Sequence, residues 1–156
     1  MNTSQLRNFL SRRINPTKCL FLGVFSRDTI PSSSDITHYP CCFISNNELS
    51  TSKGRHWVVF YLPSPTHIDF FDSFGRHYRY YGFDKLFQLY PLLISVSSSS
   101  IRLQSSHSTV CGCYCLYFIL QRSFGLAFDQ IISSFSPHNY EWNDSQVSKF
   151  VKKHSR

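Results

Sequence analysis

Cys111 stands where a polar stretch, Gln104-Ser-Ser-His-Ser-Thr-Val110, gives way to an apolar one, Cys111-Gly-Cys-Tyr-Cys-Leu-Tyr-Phe-Ile-Leu120. The apolar run predicts a buried helix that starts at the thiol. A helix N-terminus offers unpaired N–H groups and a partial positive charge, and both favour a thiolate. Such a thiolate is the reagent of nucleophilic catalysis, provided that a base and an oxyanion donor lie nearby.

The base is expected from a hairpin: His56-Trp-Val-Val-Phe-Tyr-Leu62, a turn over Pro63-Ser-Pro-Thr66, then His67-Ile-Asp-Phe-Phe-Asp72. Simple antiparallel register about Ser64-Pro65 places His56 nearly opposite Asp72, and opposed side chains share a face at roughly 5 Å between Cβ atoms. Asp72 then holds His56 in the tautomer whose other nitrogen faces the thiol. His56 takes the Cys111 proton and returns it to a leaving amine. Gln104 supplies a side-chain amide that, beside the Cys111 backbone N–H, can bind an oxyanion.

Every one of these residues also has a purely structural reading. A cysteine opening an apolar helix is commonly a small core residue. A histidine at a strand start is ordinarily a solvated edge residue, and Asp72 before Ser73-Phe-Gly75 can form an Asx turn. The catalytic reading is favoured because all four residues occur together and the register pairs two of them. Zinc is the competing chemistry, with Cys111 and Cys115 on one helical face, His107 upstream and Cys41-Cys42 elsewhere. A Cys-x-Cys-x-Cys helix points its middle thiol away, and no Cys-x-x-Cys pair exists. No metal site is expected, and Cys19, Cys41, Cys42, Cys113 and Cys115 are assigned to packing.

The elements that position these residues follow from hydrophobic spacing. Leu6, Phe9, Leu10 and Ile14 predict an amphipathic helix over 4–14, ended by Asn15-Pro16. Residues 19–25 and 41–44 predict short buried strands, separated by a surface loop over 26–40 and followed by a polar connection over 50–54. Phe83, Leu86, Phe87 and Tyr90 predict a helix over 80–90. The serine run 97–100 suggests a flexible spacer, and 101–104 a last strand. Short helices are expected over 127–135 and 145–151, with a frayed basic tail over 152–156. Strands in the middle and helices at both ends make an α+β fold, taken as one domain over 1–156.

Composition agrees with a packed core. Of the 156 residues, 42% are hydrophobic and 17% aromatic, which excludes a disordered chain. No apolar run reaches membrane-spanning length, and Met1-Asn-Thr-Ser is unlike a signal peptide. Six cysteines in that setting are expected as free thiols in a reducing compartment. The formal charge of +7 favours polyanionic partners. For nucleic acid the candidates are Arg12, Arg13, Lys149, Lys152, Lys153 and Arg156, each of which also reads as solvated charge on a helix face or tail.

The same residues resemble the adenovirus-type cysteine proteases, or adenains. The match comprises Gly54-Arg-His56-Trp57, Phe71-Asp72-Ser-Phe74-Gly75, and Gln104 seven residues before Cys111-Gly112. Weaker similarity lies at Phe21-Leu-Gly23 and Phe150-Val-Lys-Lys-His-Ser155. The resemblance implies His56 as general base, Asp72 as its orienting acid, Cys111 as nucleophile, Gln104 as oxyanion donor and Trp57 flanking the histidine. It implies a papain-like architecture in circularly rearranged order, with a mixed sheet, a buried nucleophile-bearing helix and flanking helices. It further implies a monomeric endopeptidase of virion and host nucleus that matures viral capsid and core precursors at small, Gly-containing sites. No metal or organic cofactor is implied, but DNA and a short capsid-derived peptide are implied as activators.

Two features depart from the family pattern. The orienting acid is often Glu there and is the shorter Asp72 here. Mammalian adenovirus members join the activating peptide through a disulfide upstream of the glutamine, and residues 92–103 contain no cysteine, so covalent activation by that route is not expected. Two alternatives share part of the evidence. One is a protease of ubiquitin-like modifiers with the same residue order; the other is a non-catalytic, basic nucleic-acid-binding module.

Overall fold

The computed structural model describes residues 1–51 and 56–156, so Gly54-Arg55 of the histidine motif and most of the 50–54 connection lie outside the described residues. At its centre is a five-stranded mixed sheet: β1 (Leu20–Phe25), β2 (Cys41–Asn46), β3 (Trp57–Ser64), β4 (His67–Phe71) and β5 (Ser95–Ser98), in that spatial order. β2, β3 and β4 are antiparallel neighbours, while β1 and β5 join the two edges in parallel. The helices are α1 (Thr3–Arg13), a short α2 (Leu86–Leu89), α3 (Cys111–Ser123), α4 (Phe128–Ser133) and α5 (Tyr140–His154).

β2 and β3 read as continuous apolar runs because both faces of the sheet are covered. Val59, Tyr61 and Phe71 face a core built with α1, α3, α4 and α5. Val58, Phe60 and Phe70 face a second core closed by Tyr78, Tyr81, Phe83, Leu86 and Tyr90. α3 is the buried helix: Tyr114, Leu116, Phe118 and Ile119 have no exposed surface, and Phe118 stacks on Phe71 with centroids 4.5 Å apart. Cys111 thus begins a helix locked to the central strands.

The α+β architecture is as expected, but several boundaries differ. The hairpin turn is Pro65-Thr66 alone, because β3 runs on through Pro63 and Ser64 across a bulge. The predicted helix over 80–90 is broken. A 3-10 turn covers Tyr78–Tyr81, Gly82 adopts φ +82°, and only Leu86–Leu89 is α-helical. Phe83, Leu86 and Tyr90 are buried as their spacing required, but Phe87 is exposed, and the left-handed glycine ends the first turn.

The first half of the serine run 97–100 belongs to the edge strand β5: Ser97 pairs with Asp69 and Ser98 with Phe70, while Ser99 and Ser100 lie beyond it. Pairing to β4 overrides the flexible composition, and His67 contacts Ser95 Oγ at 2.7 Å and Ser97 Oγ at 3.1 Å. Residues 101–104 form no strand. The Leu103 and Gln104 N–H groups instead donate to the Ser73 carbonyl at 2.8 and 3.1 Å, tying this segment to the loop after β4. Finally, α5 starts early, where the Asn139 side chain caps the Trp142 N–H, and it includes Lys152, Lys153 and His154 rather than leaving them frayed.

Candidate active site

His56 and Asp72 sit just outside the two paired strands, immediately before Trp57 and after Phe71. The ladder aligns Val59 with Phe71, so the continuation of the register puts Asp72 level with Val58 rather than beside His56. The turn, centred one residue later than Ser64-Pro65, causes this offset, and the bulge takes back one residue of it. The side chains nevertheless meet: His56 Nε2 lies 2.6 Å from Asp72 Oδ1. His56 is anchored from behind by Asn47, whose Oδ1 accepts its backbone N–H at 3.2 Å.

Asp72 is fully buried and every acceptor direction is occupied. Oδ1 also accepts the Phe74 N–H at 3.1 Å, while Oδ2 accepts the Arg76 N–H at 3.0 Å and the Tyr81 hydroxyl at 2.7 Å. Burial, reinforced by Asp72, pushes the Tyr81 phenol well above its usual range, so it remains a donor. The imidazole is held in plane by rings: Phe74 stacks on it at 4.7 Å and Tyr81 at 5.6 Å. With Nε2 taken by Asp72, Nδ1 is the nitrogen left for a thiol.

Cys111 is the first residue of α3, and Val110 before it provides no side-chain cap. The first-turn N–H groups are therefore available to an anion. Burial opposes ionisation of the thiol. Hydrogen bonding to His56, the imidazolium charge and the Trp57 and Gly112 N–H groups outweigh it and lower the Cys111 pKa. Burial likewise opposes charging of His56, but hydrogen bonds and attraction to Asp72 and Cys111 push its pKa up to about 9. Each group thus favours the charged form of the other, the direction expected of a thiolate–imidazolium pair.

Gln104 is buried beside this pair. Its Oε1 accepts the Ser73 hydroxyl at 2.6 Å, which fixes the amide so that Nε2 points the opposite way, toward Ser108 O and Oγ at 3.0 Å each. His56, Cys111 and Gln104 line one cleft of about 680 Å³, together with Met1, Trp57 and Phe74. Trp57 lines the cleft as expected from its neighbour, but its indole N–H donates to the Met1 carbonyl at 3.1 Å; the rings stacked on the histidine are Phe74 and Tyr81.

Sequence reasoning missed Ser73, Ser108, Tyr81 and Asn47. Only Ser73, adjacent to Asp72, carried a local signal; the others are brought in by loops. Cys41, Cys42, Cys113 and Cys115 have thiols raised by burial. Cys19 is buried with its Sγ 3.6 Å from that of Cys42. Lys149, Lys152, Lys153 and Arg156 gather around one shallow depression on α5, whereas Arg12 and Arg13 lie at the end of α1 and do not line it. Among the described residues, no three His, Cys, Asp or Glu side chains converge in a metal-binding cluster, and no helix is long and apolar enough to cross a membrane.

No protein-family model matches the chain. In sequence it is 30% identical over 112 residues to a protease of porcine adenovirus A serotype 3, a match covering 64% of this chain and 54% of that protein. The chain thus spans about half the length of the curated relative it matches. In fold it is similar to a protease of African swine fever virus, with a TM-score of 0.58 and 20% identity over 94% of this chain and 65% of that one. It is also similar to the central domain of an uncharacterised Legionella pneumophila protein, with a TM-score of 0.61 and 13% identity over 99% and 97% of the two chains. The resemblance to adenovirus-type proteases is therefore supported by a sequence match over 64% of the chain, and the fold is similar to that of a viral protease.

Proposed function

We propose that this chain is a cysteine endopeptidase of the adenovirus type, a single protease domain that cleaves viral structural precursors at small, Gly-containing sites. The observation that carries this reading is the convergence of Cys111, His56 and Asp72 in one cleft, with Gln104 beside the thiol. The Cys111 thiolate attacks the scissile carbonyl, and the oxyanion is bound by the Cys111 N–H and by Gln104 Nε2, which exchanges its Ser108 contact for it. His56 passes its Nδ1 proton to the leaving amine, and the acyl group remains as a thioester. Water then loses a proton to His56 and attacks the thioester, releasing the acid and restoring the thiol. Asp72 holds the ring throughout.

Small residues at the cleavage site suit a thiol that is only 8% exposed, against Trp57 and Met1. DNA on the α5 cations and a capsid-derived peptide complete the proposal as activators, in virion and host nucleus. The direct test is incubation with the structural proteins encoded beside this chain. Wild type should cut them and Cys111→Ala should not. Efficient cleavage of a ubiquitin-like fusion with the precursors left intact would replace this reading with the modifier-protease one.

A further inference from the structure

Gly75 brings two arginines to the end of the catalytic cleft. It has φ +71°, and a Cβ there would lie 2.4 Å from the carbonyl carbon and oxygen of Ile101 and 2.8 Å from the Arg102 nitrogen. Only glycine lets the turn after β4 rest on the Ile101-Arg102 backbone in this way. The result is a depression of about 320 Å³ lined by Phe74, Arg76, Arg102 and Ser106. Phe74 and Arg76 also line the cleft around Cys111, so the two spaces adjoin.

Both guanidinium groups are held in place without a counter-ion. Arg76 lies 4.2 Å above the Tyr80 ring, and Arg102 lies 4.7 Å above that of Tyr140. Arg102 Nε donates to the Gln104 carbonyl at 2.8 Å, leaving its terminal nitrogens for another acceptor. Among the described residues the only Arg or Lys ion pair is Arg122 with Asp69. The carboxylates nearby are committed elsewhere: Asp72 to His56 and Tyr81, Asp144 to Tyr114 and the Ser105 N–H, and Glu141 to the Ser105 hydroxyl. Stacked, unpaired guanidiniums are pre-organised for a carboxylate.

We propose that the cleft selects substrates with an acidic residue on the leaving-group side of the scissile bond, bound by Arg76 and Arg102. This rests on the protease reading above. The side follows from the chemistry: the leaving amine takes its proton from His56, so the product chain departs past that ring. Phe74 is stacked on it, and Arg76 lines the same cleft. A peptide, rather than nucleic acid, is assigned because the arginines extend a cleft whose other end holds the nucleophile.

The test is a set of quenched peptides with one Gly-Gly acyl side and Glu, Gln or Lys at the second and third positions beyond the cleaved bond. The Glu peptide should exceed the Gln peptide by roughly tenfold in kcat/KM, as expected for a charge-assisted contact, with Lys lowest. Arg76→Gln and Arg102→Gln should bring the Glu:Gln ratio toward one, and Arg102→Glu should turn the preference toward Lys. Equal rates across the series, or a ratio unmoved in the variants, overturns the proposal. The same peptides titrated against Cys111→Ala report affinity without turnover, and equal Kd values overturn it independently. Absence of cleavage by wild type, with Glu-selective binding to Cys111→Ala, contradicts the protease reading while supporting the acidic subsite. Variants that lose affinity for a duplex oligonucleotide but keep the Glu:Gln ratio also refute it.

Discussion

Around Cys111 and His56, burial and hydrogen bonding pull in opposite directions, and hydrogen bonding wins at both groups. Their charged forms therefore coexist between the lowered thiol pKa and about pH 9, where the imidazolium titrates. A bell-shaped kcat/KM profile with its alkaline limb near pH 9 follows. The folded imidazole keeps its proton to about pH 9, against 6.5 for the free side chain, so its stabilising contribution is complete below 6.5 and is lost as pH rises through 9. Asp72→Asn removes one of the interactions that raise the His56 pKa; the alkaline limb should move to lower pH and kcat should fall by on the order of 10²-fold or more. Gln104→Ala should lower kcat by roughly 10²- to 10³-fold with a smaller change in KM, because the oxyanion exists only during reaction. Cys111, His56, Asp72 and Gln104, the four residues expected to converge, were legible because each is a distinctive residue type at a telling place. Ser73 and Tyr81, which orient them, were not, since a serine or tyrosine in a loop has many ordinary uses.

The elements that hold these residues were legible where hydrophobic period dominates and illegible where backbone conformation does. β2, β3 and α3 follow from their apolar runs. The break at Gly82 and the β5 strand in a serine run depend on a left-handed turn and on pairing to a distant strand, which spacing cannot reveal. The hairpin register differs because the turn lies one residue later than Ser64-Pro65, at Pro65-Thr66, and a bulge offsets only part of that shift; neither is visible in composition, yet His56 and Asp72 still meet through their side chains. Two substitutions separate these effects by thermal or denaturant unfolding. Phe118→Ala removes the ring stacked on Phe71 and should cost about 3–5 kcal/mol. Gly75→Ala strains a positive φ against the Ile101 backbone and should destabilise by at least about 1–3 kcal/mol, with a loss of activity as the Ser73–Gln104 contact shifts.

Over the whole molecule, charge and thiols are distributed unevenly, and each distribution has a measurable consequence. Lys149, Lys152, Lys153 and Arg156 share one depression, so if DNA binds there, log Kd against log salt should have a slope of roughly 3 to 4, reduced by about one per cation replaced with Gln. A flat response argues against phosphate contacts. The six thiols provide the most direct test of the central claim, that Cys111 is the activated nucleophile. Cys113 is the one thiol that is not buried, so exposure alone would make it the first to react. Limiting iodoacetamide at pH 6, followed by peptide mapping, should instead place the label on Cys111 and eliminate cleavage in proportion, with that selectivity lost in His56→Ala. Labelling of Cys113 ahead of Cys111, or full Cys111 labelling with activity retained, would contradict the account.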